Sequence, residues 1–161
     1  MKFFEDIEIG VEEHLGAYTF TAEEIKAFAA KFDPQPFHMD EEAARQSSFG
    51  GLCASGWHTA AIWMKVMIAY RKRQMEETTE NGDNGHRGPS PGFEDMKWLK
   101  PVYAGDTVSY TAKVVSKRPL ATRAGWGLVS HDSAGVNQHG ETVFSFRSHV
   151  LVGCRSAVAA G

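Results

Sequence analysis

Residues 32–59 read Phe32-Asp-Pro-Gln-Pro-Phe-His-Met-Asp-Glu-Glu-Ala-Ala-Arg-Gln-Ser-Ser-Phe-Gly-Gly-Leu-Cys-Ala-Ser-Gly-Trp-His-Thr59. The fold of this chain follows mainly from this segment. It contains two groups that can transfer protons, Asp33 and His38, with two prolines between them. Proline fixes its own φ and disfavours the α region for the residue before it, so a preceding helix must end near residue 32. We therefore predict that Asp33 and His38 lie on a stiff, extended loop.

A glycine-rich segment follows, and it runs from Gly50 to Gly56 directly into an apolar stretch that begins at Trp57. This pattern is typical of the N-terminus of a helix, where unpaired backbone N–H groups carry partial positive charge. Such groups can stabilise a developing oxyanion. Asp33 and His38, followed by the Gly56 N–H, therefore predict a catalytic site.

Two short patterns in this stretch resemble the signature of the MaoC-like dehydratases, a family that includes the (R)-specific 2-enoyl-CoA hydratases. They are Asp33-x-x-Pro36-x-His38 and Gly51-Leu52-Cys53-x-x-Gly56.

The family motif reads Gly-Asp-x-Asn-Pro-x-His, whereas this chain has Phe32 in place of the Gly and Gln35 in place of the Asn. Gln35 is one methylene longer than Asn, so we expect it to change how the loop is held and to affect substrate choice. The resemblance implies an α+β hotdog fold, in which an antiparallel sheet wraps a long central helix. It also implies a homodimer or a dimer of dimers.

The function implied by the resemblance is that of a hydro-lyase in fatty acid metabolism, which adds water reversibly to a 2-enoyl-CoA thioester to give a 3-hydroxyacyl-CoA. Asp33 and His38 would supply the acid and the base, in an order that the sequence leaves open, and the Gly56 N–H would hold the enolate oxygen. Ser55 and Trp57 are expected to contact the substrate. Two alternatives remain, a hotdog acyl-CoA thioesterase and a non-catalytic acyl-CoA-binding module.

Composition narrows the functional class. The chain has 161 residues, a net charge of −3 and a pI near 6.2, and we expect one domain over residues 1–161 with no nucleic-acid partner. Its two cysteines fit a reducing compartment. An acidic N-terminus and the absence of a long apolar span predict a cytoplasmic protein that does not cross a membrane.

The remaining polar residues give weaker signals. The histidines lack metal-ligand spacing, so we expect neither a metal nor another cofactor. His58 is interpreted as a packed histidine that a backbone group satisfies, and Cys53 as a small buried hydrophobe. Composition suggests four basic candidates for the CoA phosphates: Arg45, Lys97, Lys100 and Arg123.

Sequence periodicity predicts early helices and late strands, hence a mainly antiparallel sheet. A capping box at Thr21 and Glu24 starts a helix that ends near Phe32. Further helices are predicted at 40–46 and 57–70; the second is apolar all round and is therefore expected to be buried on every side, with basic residues 71–73 at its solvent end. Strands are predicted at 14–20, 107–115, 122–131 and 141–152, with a short strand or lead-in segment at 3–9. Residues 75–92 are predicted to form a flexible loop that covers the acyl end of the site or is a surface insertion.

Overall fold

A single antiparallel sheet forms the frame of the molecule in our computed structural model, which describes residues 2–79 and 85–155. Its five strands lie in the order β1-β3-β4-β5-β2. The strands are β1 (Glu12–Thr19), β2 (Gly92–Trp98), β3 (Thr107–Pro119), β4 (Trp126–Asn137) and β5 (Thr142–Gly153). The predicted α+β class with an antiparallel sheet is confirmed.

The first helix, α1 (Ala22–Phe32), begins and ends where the sequence predicts. Thr21 is its N-cap and accepts a hydrogen bond from the Glu24 N–H at 3.2 Å, while the Glu24 carboxylate accepts one from the Thr21 hydroxyl at 2.8 Å. Asp33 is the C-cap. The prolines that follow prevent the helix from continuing.

The extended loop predicted across Asp33 and His38 is only partly correct. A four-residue helix, α2 (Pro36–Met39), follows Gln35 and contains His38. Proline is favourable at the first position of a helix, because its φ is already helical and its missing N–H would have had no intrahelical partner. Pro36 therefore starts a turn here instead of excluding one. The next helix, α3 (Glu41–Gln46), matches its prediction and is capped by Asp40, whose side chain accepts from the Ala43 N–H at 2.8 Å.

The long helix α4 (Gly56–Thr79) lies against the inner face of the sheet. Ile62 and Trp63 are buried, but Trp57, Met64 and Ile68 are 55%, 49% and 57% exposed. The prediction of a helix buried on every side is therefore wrong for this chain by itself, because one sheet covers only one side of a helix. The helix also extends beyond its predicted end.

Several other boundaries differ from the predictions. Residues 75–79 belong to α4 and residue 92 to β2, while residues 80–84 of the predicted 75–92 loop lie outside the described residues. Of the two alternatives predicted for residues 3–9, the strand is wrong, because Phe4–Asp6 form a 3₁₀ helix ahead of β1. Strand β4 starts later and ends later than predicted. Strand β2 was not predicted, because its apolar residues Phe93, Met96 and Trp98 do not alternate regularly with its charged residues. Its pairing with β5 is what makes it a strand.

Two apolar clusters fill the space inside the sheet. The larger one joins α4 to the sheet and includes Phe20, Val108, Tyr110 and Phe144. The smaller one lies at the other end of the sheet and consists of Phe4, Ile7, Val114, Val129 and Val152.

The segment before α4 is held by the chain that precedes β3. Ala54 donates to the Val102 carbonyl at 2.8 Å, and Ala104 donates to the Leu52 carbonyl at 3.0 Å. A third bond, from the Cys53 N–H to the Phe37 carbonyl at 3.5 Å, joins the same segment to α2. Among the described residues, no helix is both long and apolar enough to span a membrane.

Candidate active site

Asp33 and His38 meet at one end of the molecule. The Asp33 Oδ2 atom lies 3.5 Å from the His38 Nε2 atom, and the two side chains are only 19% and 7% exposed. The turn made by Gln35 and Pro36 brings the end of α1 and the body of α2 together. The proximity of these two side chains, expected from their spacing, is present in the structure.

One hydrogen bond fixes the tautomer of His38. Its Nδ1 atom lies 2.7 Å from the carbonyl oxygen of Cys53. A carbonyl oxygen can only accept, so Nδ1 must carry the proton. In the neutral ring Nε2 is then unprotonated, and it faces the Asp33 carboxylate. Both facing atoms are therefore acceptors, and a donor such as a water molecule beside the pair can bridge them.

Asp33 is held as a carboxylate. Burial raises its pKa, but hydrogen bonds from Ser55 and Gln35 and the nearby His38 outweigh this, and the net pKa lies below the usual range. The Ser55 hydroxyl donates to Oδ2 at 2.6 Å and the Gln35 amide donates to Oδ1 at 2.7 Å. Gln35, noted in the sequence as a departure from the family motif, thus binds the site carboxylate directly.

Ser55 also caps α4. Its Oγ atom accepts from the Trp57 N–H at 3.3 Å, and its carbonyl accepts from the Thr59 N–H at 3.2 Å. Among the described residues, no acceptor faces the Gly56 N–H. That group lies in the first turn of a long helix, where unpaired N–H groups carry partial positive charge.

Trp98 closes over the start of α4. A Cβ atom built on Gly56 would lie 2.6 Å from the Trp98 Nε1 atom, so only glycine fits beneath this indole. The ring also packs edge-on against Trp57, with 5.1 Å between ring centroids. Sequence reasoning missed Trp98. Its only signal was an aromatic residue close to Pro101, and strand pairing brings it to the site.

These groups line one open pocket of about 490 Å³. Asp33, His38, Ser55 and Gly56 lie on its wall. The rest of the wall is mainly apolar and includes Phe37, Phe49, Trp57, Trp98, Leu99 and Val102. A cleft with apolar walls and a few converging polar groups is the usual form of a small-molecule site.

Of the four basic residues suggested as contacts for the CoA phosphates, one lies at the pocket and three lie elsewhere. Lys100 lines the pocket and forms an ion pair with Glu141. Arg45 pairs with Glu42 on the surface, Lys97 lies in a separate groove, and Arg123 stacks on Trp126. Only Lys100 of the four is therefore placed at the site. Of the predicted 75–92 loop, residues 75, 76 and 85–92 do not line the pocket.

Cys53 and His58 are both buried, as predicted. Burial raises the pKa of the Cys53 thiol to about 11, which makes it a poor nucleophile. His58 stacks on Phe28 with ring centroids 4.5 Å apart, and burial lowers its pKa to about 4. The expected backbone partner is absent, since His58 Nδ1 contacts no hydrogen-bonding group in the part of the chain described. In the same part of the chain, no cluster of three or more His, Cys, Asp or Glu residues is placed to hold a metal ion.

Comparison with known proteins identifies the family. Residues 10–134 match the family described as the MaoC like domain. The chain belongs to this family. The uncharacterized protein YdeM of Bacillus subtilis is 33% identical over 130 residues, which cover 81% of this chain and 84% of that protein.

Two further similar proteins come from Rhodospirillum rubrum. The (R)-specific enoyl-CoA hydratase is 29% identical over 124 residues, which cover 74% of each chain. The crystal structure of a MaoC-like dehydratase superposes with a TM-score of 0.80 at 36% identity, and the match covers 96% of this chain and 99% of that one. The predicted hotdog fold is thereby confirmed.

Proposed function

We propose that this MaoC-like protein adds water reversibly to the double bond of a 2-enoyl-CoA thioester. The observation that carries the proposal is the pair of acceptor atoms, Asp33 Oδ2 and His38 Nε2, 3.5 Å apart on the wall of an apolar pocket that also exposes the start of a long helix. The names of the relatives, hydratase and dehydratase, agree with this reaction class.

A water molecule bound by this pair has a defined orientation. Because Asp33 and the unprotonated Nε2 atom of His38 both accept, the water donates one hydrogen to each. A lone pair on its oxygen then points away from both, toward the pocket. This is the arrangement needed for attack on the Cβ atom of an enoyl thioester.

His38 is the better candidate for the group that takes the proton. The pKa of Asp33 is held down by its hydrogen bonds, so its carboxylate is the weaker base. In the proposed cycle His38 Nε2 removes a proton from water while the oxygen bonds to Cβ, and it then delivers that proton to Cα. Asp33 orients the water and stabilises the positive charge on the imidazolium.

The charge that develops on the thioester oxygen needs a donor. The Gly56 N–H, at the positive end of the α4 dipole and without an acceptor among the described residues, would supply it. Trp98 and Trp57 would shield this oxygen from water. Lys100, at the pocket wall, is the nearest basic candidate for contact with the CoA moiety.

The test uses a panel of straight and branched 2-enoyl-CoA thioesters, with loss of the conjugated double bond and release of free thiol followed in parallel. We expect loss of the double bond without thiol release. Asp33→Asn and His38→Gln should each lower kcat/KM by about 10²- to 10⁴-fold. Asp40→Asn is the matched control, because Asn caps a helix as well as Asp and Asp40 lies outside the pocket.

Other outcomes separate the alternatives. Thiol release would identify a thioesterase, and thermal stabilisation by the thioesters without any chemistry would identify a binding module. Nearly full hydration activity in either site variant would contradict the assigned roles of Asp33 and His38.

We further propose that two copies pair through the exposed apolar face of α4 and the free edge of β2. Trp57, Met64 and Ile68 recur at helical spacing on one side of α4, and Phe93 and Leu99 are exposed on or beside β2. Within the described part of the chain, β2 lies at the edge of the sheet and pairs with β5 alone. Large exposed apolar patches mark contact surfaces, and a second copy offers the same apolar surface in return.

Light scattering on the purified protein tests the pairing. We expect twice the mass of one chain, and Ile68→Lys should shift the mass toward a single chain by placing a charge in the contact. Ala30→Lys, on the exposed surface of α1, is the control and should leave the mass unchanged. A wild-type mass of one chain at micromolar concentration would contradict the proposal.

A further inference from the structure

A second polar cluster lies inside the sheet, far from the candidate active site. It is formed by Arg71 on α4, Glu13 on β1, His131 on β4 and Arg87 in the segment before β2. Arg71 follows Gly56 by 15 residues in the same helix, which is about 22 Å along its axis. This cluster therefore plays no part in the chemistry proposed above.

Arg87 is held in the cluster by its backbone. It forms an isolated antiparallel bridge with Val152, and the neighbouring Gly88 N–H donates to the Leu151 carbonyl at 2.7 Å. Residues paired across two strands point to the same face. Since Val152 is fully buried in the smaller apolar cluster, the Arg87 side chain is directed inward as well.

The partly buried side chain of Arg87, whose Nε atom is fully buried, has no acidic partner among the described residues. No carboxylate there lies within ion-pairing distance of it, and its Nε atom is buried without a hydrogen-bond acceptor. Desolvation lowers the pKa of Arg87 to about 10, so it remains charged at neutral pH. A charge buried in this way is costly unless something pairs with it.

The other members of the cluster do not supply the missing charge. Glu13 Oε2 lies 3.1 Å from Arg71 Nη2, an ion pair without hydrogen-bond geometry, so this carboxylate already faces one guanidinium. Burial and then the two arginines lower the pKa of His131 to about 3, so it is neutral. Among the described residues, Glu13 thus pairs with Arg71, and the charge of Arg87 is not paired.

These residues surround a cavity of about 30 Å³. A water molecule needs roughly 10–15 Å³ measured in the same way, so the cavity has room for more than one water or for a small anion. Arg71, Arg87, His131 and Glu13 line it, and Lys2 and Glu8 lie at its wall as a further cation and a further carboxylate.

We propose that this cavity is a binding site for a small oxyanion of the phosphate or sulfate class, held by the guanidinium groups of Arg71 and Arg87. Guanidinium groups bind such anions through paired N–H donors and stay charged throughout the physiological range. The anion would complete the charge balance of the cluster and tie the last turns of α4 to the sheet. The site is independent of the enoyl-CoA chemistry.

Thermal unfolding in inorganic phosphate tests the proposal. The protein is placed in a buffer free of oxyanions and titrated with phosphate, while chloride keeps the ionic strength constant. We expect the Tm to rise by about 3 °C or more for each tenfold increase in phosphate above the dissociation constant. Sulfate should act similarly and acetate more weakly.

Arg87→Met is the decisive variant, since it keeps most of the side-chain volume and removes the charge. Its Tm should not respond to phosphate, and in oxyanion-free buffer it should be at least as high as that of the wild type, because a buried unpaired charge is gone. Arg118→Met, which removes an exposed arginine from β3, should keep the full response.

Two results would overturn the proposal. One is a wild-type Tm that does not depend on phosphate, and the other is an equal phosphate response in Arg87→Met, which would indicate binding to the general surface. If Arg87→Met does not fold, crystals of the wild type soaked in sulfate give the answer. Tetrahedral density between Arg71 and Arg87 would support the site, and its absence at saturating sulfate would refute it.

Discussion

Ser55 joins the candidate site to the helix that carries it. Its hydroxyl donates to Asp33 and accepts from the Trp57 N–H, so one buried side chain both holds the carboxylate and caps α4. A hydrogen bond to a charged group and a helix cap each contribute measurable stability. Loss of Ser55 should therefore affect activity and stability together.

We expect Ser55→Ala to lower the free energy of unfolding by about 2 kcal/mol, measured by urea denaturation. Without this donor the pKa of Asp33 should rise, because one of the bonds that lowers it is lost. We expect kcat/KM for enoyl-CoA hydration to fall by about tenfold or more. Ser109→Ala, at an exposed position of β3, is the control, and equal effects in the two variants would refute the double role.

Position 56 is occupied by glycine because the indole ring of Trp98 lies directly above it. In Gly56→Ala the new methyl group would overlap Trp98, which must move away from the helix N-terminus. We expect a loss of stability of about 1–3 kcal/mol and at least a tenfold loss in kcat/KM. Gly51→Ala is the matched control, because its Cβ would lie 3.6 Å from the Tyr103 ring, an ordinary contact.

Trp98→Ala provides the second arm of this test. If the overlap is the cause, Gly56→Ala should cost less stability in the Trp98→Ala background than in the wild type. Identical costs in both backgrounds would show that the two residues act independently.

At the scale of the elements, α1 delivers Asp33 to the site. Its N-terminus is fixed by the reciprocal bonds of Thr21 and Glu24, and its C-terminus by the prolines that follow Asp33. The register of the helix determines where Asp33 lies. α2 then turns His38 back toward it. The pair therefore depends on two helix ends and the turn between them.

Thr21→Ala removes the N-cap of α1. We expect it to lower the free energy of unfolding by about 1 kcal/mol, because the Glu24 N–H loses its acceptor. Thr122→Ala, in the exposed turn before β4, should change stability by less than about 0.5 kcal/mol in the same urea titration. A Thr21→Ala variant as stable as the wild type would show that this N-cap does not contribute to stability.

At the scale of the whole molecule, two buried histidines make stability depend on pH. Burial holds the pKa of His58 near 4 and that of His131 near 3, against about 6.5 in an unfolded chain. Below pH 6.5 the unfolded state therefore binds more protons than the folded state. The contribution of these two histidines to the free energy of unfolding is fully present above pH 6.5 and is lost as the pH falls toward 4.

We expect the free energy of unfolding to be nearly constant from pH 7 to 8 and to fall below pH 6.5, with a slope of up to about 1.4 kcal/mol per pH unit for each histidine. His58→Phe keeps the ring that stacks on Phe28 and removes the titrating group. Between pH 6 and 4.5, the slope of its free energy of unfolding against pH should be smaller than that of the wild type, by the equivalent of about one bound proton. An unchanged slope would show that His58 does not titrate in this window.

The sequence alone indicated the local parts of the structure. The capping box defined the start of α1, the prolines defined its end, and the glycine-to-apolar change located the start of α4. Asp33, His38 and Ser55 could be placed at the site because they lie on segments whose ends are set by neighbouring residues. These features depend on backbone preferences and short-range hydrogen bonds, which a sequence displays directly.

Contacts between residues far apart in the chain were decided only by the tertiary structure. The charged pattern of β2 gives no strand signal, and pairing with β5 is what places Trp98 over Gly56. The Arg71, Arg87 and His131 cluster forms from three separate elements whose shared neighbours no local pattern specifies. The sequence also did not show that one side of α4 is exposed in the single chain, because an apolar helix can be buried by its own sheet or by a second chain. Which long-range partners meet depends on packing and sheet register, and the sequence records neither as a local signal.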